Sequence, residues 1–117
     1  MELNEYQAKA LETCTSTSDN VLYMAFNLAA ETGEACGKIA KKIRKGQLHF
    51  SDNTTSSLDE EAELRDEIMP ELGDVLWQLS GLCHVLGLSL EEVASYNLQK
   101  LADRKSRGVI VGSGDYR

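Results

Sequence analysis

The chain has 117 residues, 42% of them hydrophobic and 26% charged, with 12 Lys and Arg against 19 Asp and Glu for a formal net charge of −7. That length suits one domain with a modest core, and the composition is that of a folded protein rather than a disordered one. The acidic balance excludes a broad basic surface, so a nucleic-acid duplex is not an expected partner, whereas a small phosphorylated ligand held by local cations or a metal is compatible with it.

No run of about 18 apolar residues is present, and the acidic, polar N-terminus lacks the basic and apolar regions of a signal peptide. No membrane association is expected, and the expected location is cytoplasmic. Cys14, Cys36 and Cys83 are widely spaced with no Cys-x-x-Cys pairing, and they are read as buried, reduced thiols.

Leu3, Tyr6, Ala10 and Leu11 recur at helical spacing and predict an amphipathic first helix over about 2–14, a cover for the core. The polar run 13–20 ends it, and Asp19 or Asn20 suits the N-cap of the next helix. That second helix is predicted over 21–44, with Val21, Leu22, Ala25, Leu28, Ala29, Ala35, Ile39 and Ile43 on its apolar side. Asn27, Glu31, Glu34 and Lys38 form a separate polar stripe. Gly33 and Gly37 each weaken the helix by about 1 kcal/mol relative to alanine, which predicts that another backbone or a ligand comes close there. The run Lys41, Lys42, Arg44, Lys45 followed by Gly46 reads as a solvated helix end ahead of a phosphate patch, since cations suit the negative end of the dipole.

Residues 47–58 are polar and predict a mobile loop. Asp52, Thr54, Ser56 and Glu63 fall at the spacing of a calcium loop, but Ser57 stands where its sharp turn needs glycine, so an EF-hand is not expected. Asp59, Glu60, Glu61 and Glu63 suit a helix N-terminus and open a third helical region to about residue 85. Pro70 predicts either a kink or a short helix ending near Ile68 with the main one starting at Pro70. The apolar side of this region is Leu72, Val75, Leu76, Leu79, Leu82, Cys83 and Leu86, and Glu67 precedes the pair Glu71-x-x-Asp74. Ser89-x-x-Glu92 is a capping box that starts a fourth helix reaching about residue 105. On it Val93, Asn97, Lys100 and Arg104 share one stripe, an amide and two cations suited to a phosphate chain or to solvent. The glycine-rich end is read as flexible or wrapped over a neighbour. The whole, 1–117, is expected to be one domain, with its motifs within about 21–105 and a flexible tail over 106–117.

Glu31-x-x-Glu34 and Glu71-x-x-Asp74 each put two carboxylates on one helical face. Four carboxylates aimed into a bundle interior repel one another and lose hydration unless a cation sits among them, so the pattern points to a metal site. Oxygen-only ligands favour magnesium or manganese over zinc. The competing reading is a non-catalytic helical interaction protein whose acidic pairs are solvated. A carboxylate-bridged di-iron bundle is set aside, because neither His49 nor His84 follows a glutamate by three; His84 is read as a partly buried helix residue. Trp77, like Tyr23 and Phe26, suits stacking on a base, with plain core packing the commoner outcome.

In order along about 22–117, Glu31-Thr-Gly-Glu34, Glu71-Leu-Gly-Asp74-Val-Leu-Trp77 and Asn97-Leu-Gln-Lys100-Leu-Ala-Asp-Arg104 resemble the successive motifs of MazG-like nucleotide pyrophosphohydrolases, in the all-α NTP pyrophosphatase superfamily. The resemblance implies an all-α four-helix bundle completed by packing into a homodimer or homotetramer. It also implies a magnesium-dependent hydrolase, with manganese as a substitute, that cleaves a nucleoside triphosphate between its α and β phosphates to a monophosphate and pyrophosphate, in house-cleaning of non-canonical nucleotides. Glu31, Glu34, Glu71 and Asp74 then match the catalytic metal ligands, and Asn97 and Lys100 match positions that bind the nucleotide or its phosphates. Arg104, Trp77, Asn27 and Lys38 are the further candidates for substrate contact. One departure stands out: Ala30 occupies the place where the family often has the first of two glutamates, which leaves Glu31, or after it Glu67, to activate water.

Overall fold

A computed structural model describes residues 1–51, 54–55 and 58–117, so the calcium-loop positions Asp52 and Ser56 and part of the expected loop lie outside the described residues. The fold is all-α. Helix α1 (Leu3–Ala10) runs into a 3-10 turn (Leu11–Thr13), followed by α2 (Val21–Arg44), α3 (Leu58–Val85) and α4 (Leu90–Ser106). Between α2 and α3 lie two-residue strands, β1 (Phe50–Ser51) and β2 (Thr54–Thr55), antiparallel with Phe50 opposite Thr55. His49 fastens this segment to the start of α3, its amide donating to Glu60 Oε2 at 3.0 Å and its Nδ1 lying 2.7 Å from Glu60 Oε1.

Local signals account for the helix starts. Asn20 Oδ1 accepts from the Tyr23 amide at 2.8 Å, which makes Asn20 the cap of α2. Ser89 Oγ accepts from the Glu92 amide at 3.1 Å while the Ser89 amide donates to Glu92 at 2.8 Å, the reciprocal box expected for α4. Pro70 lies inside α3 and the helix is continuous through it, so the separate short helix ending near Ile68 does not form. A proline costs about 3 kcal/mol in a helix interior, and the packing of α3 along α2 on both sides of it outweighs that cost.

The α2–α3 pair is antiparallel and zipped by charge. Lys42 Nζ lies 3.0 Å from Glu67 and 3.8 Å from Glu63, Lys38 meets Glu71 a turn earlier, and at the far end Met24, fully buried, packs on Gly81. A Cβ at Gly81 would lie 2.4 Å from Met24 Sδ, whereas one at Gly33 or Gly37 would meet nothing within 4 Å. Among the described residues no other part of the chain comes close to Gly33 or Gly37, and the tight approach between the two helices is at Gly81.

Helix α1 is tied across the end of this pair. Gln7, buried, donates from Nε2 to the carbonyls of Ser80 and Leu88, each at 3.2 Å, and accepts from the Leu90 amide at 3.0 Å. Trp77 Nε1 donates to the Ala10 carbonyl at 2.9 Å and to Thr13 Oγ1 at 3.0 Å. The indole thus uses its polar edge to hold the end of α1.

Among the described residues α4 packs chiefly on α1 rather than along α2 and α3. The radius of gyration is 17.5 Å, against about 13 Å for a compact domain of this length. Apolar side chains are accordingly left uncovered, with Phe26 71%, Leu22 67% and Leu98 67% exposed. Of the cysteines only Cys83 is buried, Cys14 being half-buried and Cys36 exposed, and all are free. His84 is exposed rather than partly buried. No helix among the described residues is long and apolar enough to cross a membrane.

Candidate metal centre

The antiparallel crossing of α2 and α3 turns the two acidic spacings toward each other. One carboxylate oxygen from each of Glu31, Glu34 and Glu71 lies within 4.8 Å of the others. Glu71 is the most enclosed, with its side chain 12% exposed, and it accepts from Lys38 Nζ at 2.5 Å. That hydrogen bond is the main reason the Lys38 ammonium is held above its ordinary pKa, against the opposing effect of burial. Glu31 is pushed up, first by burial and then by the charges of Glu34, Asp74 and Glu71, while a hydrogen bond from Asn27 works the other way. Asp74, one turn beyond Glu71, acts through its charge on Glu31 and on the Tyr6 phenol, whose pKa is raised by burial first and by Asp74 second. Tyr6 on α1 is thus within range of the Asp74 charge.

Among the described residues a single ammonium, Lys38, pairs with the cluster, so the carboxylates are under-neutralised and hold charge that a divalent cation would satisfy. The donors are all oxygen, which fits magnesium or manganese and not a thiolate- or imidazole-seeking ion. One turn beyond Asp74 on α3, Gln78 is buried and its Oε1 has no hydrogen-bond partner among the described residues. A buried acceptor without a donor is uncommon, and it extends the same stripe of oxygen donors down the helix.

The remaining candidates are distributed differently. Asn97 is exposed on α4. Lys100 Nζ lies 3.4 Å from Asp115 Oδ1, and the buried Arg104 donates from Nη2 to Asp115 Oδ1 at 3.4 Å and to the carbonyls of Asp115 at 3.2 Å and Gly114 at 3.4 Å. Lys100 first, and Arg104 with it, holds the Asp115 carboxyl below its ordinary range. The chain end therefore folds back on α4, where Arg117 also donates to the carbonyls of Val109 at 3.0 Å and Gly114 at 2.6 Å. With α4 packed chiefly on α1, Asn97, Lys100 and Arg104 are not gathered with the acidic cluster in the single chain. Trp77 is turned to α1, and Glu67 is engaged by Lys42.

Sequence reasoning passed over three of these features. Lys42, read as part of a solvated helix end, is buried between α2 and α3; Tyr6 was assigned only to packing. Gln78 was not singled out, although a step of four after Asp74 was a usable signal.

Residues 20–109 match the family model of the MazG nucleotide pyrophosphohydrolase domain. Over the whole of both chains the sequence is 35% identical to the Gene 37 protein of Mycobacterium phage L5. No solved structure matches the chain.

Proposed function

Given that the chain belongs to the MazG nucleotide pyrophosphohydrolase domain family, we propose that it is a magnesium-dependent enzyme that hydrolyses nucleoside triphosphates between the α and β phosphates, releasing a monophosphate and pyrophosphate. The observation that carries this reading is the convergence of Glu31, Glu34 and Glu71 across α2 and α3. Together with Asp74 they would hold magnesium or manganese. Such an ion supplies charge neutralisation on phosphate oxygens and acidifies water.

The chain's own residues take the other roles. Glu31, pushed up by burial and by its acidic neighbours, receives the proton of the attacking water in place of the missing carboxylate at Ala30. Asn27 orients Glu31 through its amide, and Lys38 holds Glu71. Trp77 keeps α1, and with it Tyr6, beside the cluster. Asn97, Lys100 and Arg104 bind the nucleotide or its phosphates. Lys100→Ala is expected to raise KM severalfold with kcat little changed, since it meets charge already present in the ground state; an effect confined to kcat would contradict that role.

Assembly follows from the uncovered surface. Phe26, Leu22 and Leu98 leave apolar stripes that a second copy would cover. A homodimer or homotetramer would also let one chain's α4 reach another's acidic helices. Light scattering at micromolar concentration is expected to give at least twice the chain mass of 12.9 kDa; a monomer mass would remove this part of the reading.

The activity is tested by a magnesium-supplemented screen of canonical, deoxy and damaged nucleoside triphosphates, with both products quantified. Equal amounts of monophosphate and pyrophosphate are expected, with damaged or non-canonical substrates preferred if the enzyme cleans the cytoplasmic nucleotide pool. Inactivity on every substrate would instead favour a non-catalytic helical interaction protein.

A further inference from the structure

Toward its C-terminal end α2 passes from acidic to basic surroundings. Lys38, Lys41, Lys42 and Lys45 line, with Gln47 and Glu67, a cavity of about 310 Å³. Lys42 is buried and fixed by Glu67 at 3.0 Å, and Lys38 reaches from this group to Glu71 of the acidic cluster. Lys41 and Lys45 form no ion pair among the described residues. Of the four ammonium groups at this cavity Lys38 and Lys42 are engaged by Glu71, Glu67 and Glu63, so Lys41 and Lys45 add positive charge beyond these pairs in a protein of net charge −7. The helix dipole accounts for cations near the end of α2. It does not account for their convergence on one concavity that adjoins the acidic cluster.

We propose that this cavity is the subsite for the pyrophosphate portion of the substrate, and for pyrophosphate after cleavage; the assignment rests on the hydrolase reading above. In that reaction the water oxygen joins the α phosphorus and the bridging oxygen leaves with the β and γ phosphates. The departing polyanion is repelled by Glu31, Glu34 and Asp74 and needs cations beside them. Lys41, Lys42 and Lys45 supply these side by side on one helix end, Lys42 held by Glu67 and the other two exposed, and several adjacent ammoniums suit a diphosphate better than a lone phosphate. Lys38 joins the two sites. Were Glu71 to hold a bound cation, its partner Lys38 would be free to turn its ammonium to phosphate.

The test is titration calorimetry of the full chain with inorganic pyrophosphate, with manganese binding followed in parallel by electron paramagnetic resonance. The double variant Lys41→Gln, Lys45→Gln alters side chains that are exposed and outside the catalytic set. It is expected to bind pyrophosphate about tenfold more weakly, a loss of about 1.4 kcal/mol, with manganese affinity unchanged. Lys41→Arg, Lys45→Arg should retain the wild-type affinity for pyrophosphate. Equal pyrophosphate affinity in the wild type and the glutamine variant would overturn the subsite. Pyrophosphate binding that depends on the lysines in a protein that binds no manganese would uphold the anion cavity and remove the hydrolase reading instead.

Discussion

Glu34→Gln and Asp74→Asn are each expected to lower turnover about a thousandfold while leaving helical content unchanged. Each amide keeps the size of the side chain and removes one charge, Glu34 from the group it forms with Glu31 and Glu71, and Asp74 from the charge acting on Glu31. Metal-held charge stabilises a phosphoryl-transfer transition state by several kcal/mol, and about 4 kcal/mol corresponds to a thousandfold in rate. Folding should be little affected, because Glu34 and Asp74 are exposed and substitutions of exposed side chains fall within about 0.5 kcal/mol. Steady-state kinetics beside far-ultraviolet circular dichroism checks the result. Near-normal turnover in both variants would remove the metal assignment.

Millimolar magnesium or manganese is expected to raise the melting temperature of the wild type by several degrees. In the metal-free folded chain the Glu31 carboxyl is held above its ordinary value by burial and by Glu34, Asp74 and Glu71. The folded state therefore binds more protons than the unfolded state across that interval. The stability tied to Glu31 is present below its unfolded pKa and is lost as pH rises through the folded pKa, so at neutral pH the cluster weakens the fold. A ligand that binds only the folded state at a hundredfold excess over its dissociation constant adds about 2.7 kcal/mol, which is several degrees for a domain this size. The double variant Glu34→Gln, Asp74→Asn should melt higher than the wild type without metal and should lose most of the metal-induced shift. An equal shift in both proteins would place the metal elsewhere.

Helix boundaries were legible wherever a local chemical device sets them. Asn20 before Val21 and the Ser89–Glu92 pair before the run to Ser106 act through bonds a few residues long, and the sequence shows both partners. The acidic pairs were legible for the same reason, since a spacing of three fixes a shared face before any packing is known. Features that depend on the opposite helix were not legible. Pro70 obeys the packing of α3 as a whole rather than its own local preference. Gly81 rather than Gly33 or Gly37 receives a close neighbour because Met24 lies across from it. Lys42 looked like a helix-end cation because its partners, Glu67 and Glu63, lie 25 and 21 positions away along the chain. The position of α4 was also hidden, because an amphipathic stripe declares that it needs a cover without saying which element, or which copy, provides it.

The central claim is that Glu31, Glu34, Glu71 and Asp74 form one divalent-cation site between α2 and α3. Its most direct test is a manganese titration of the wild type and of Glu34→Gln, Asp74→Asn, with free ion read by electron paramagnetic resonance and magnesium added as competitor. Saturable binding in the wild type, displaced by magnesium and weakened at least tenfold in the double variant, is the predicted result. Binding of equal strength in the two proteins, or none in either, would contradict it.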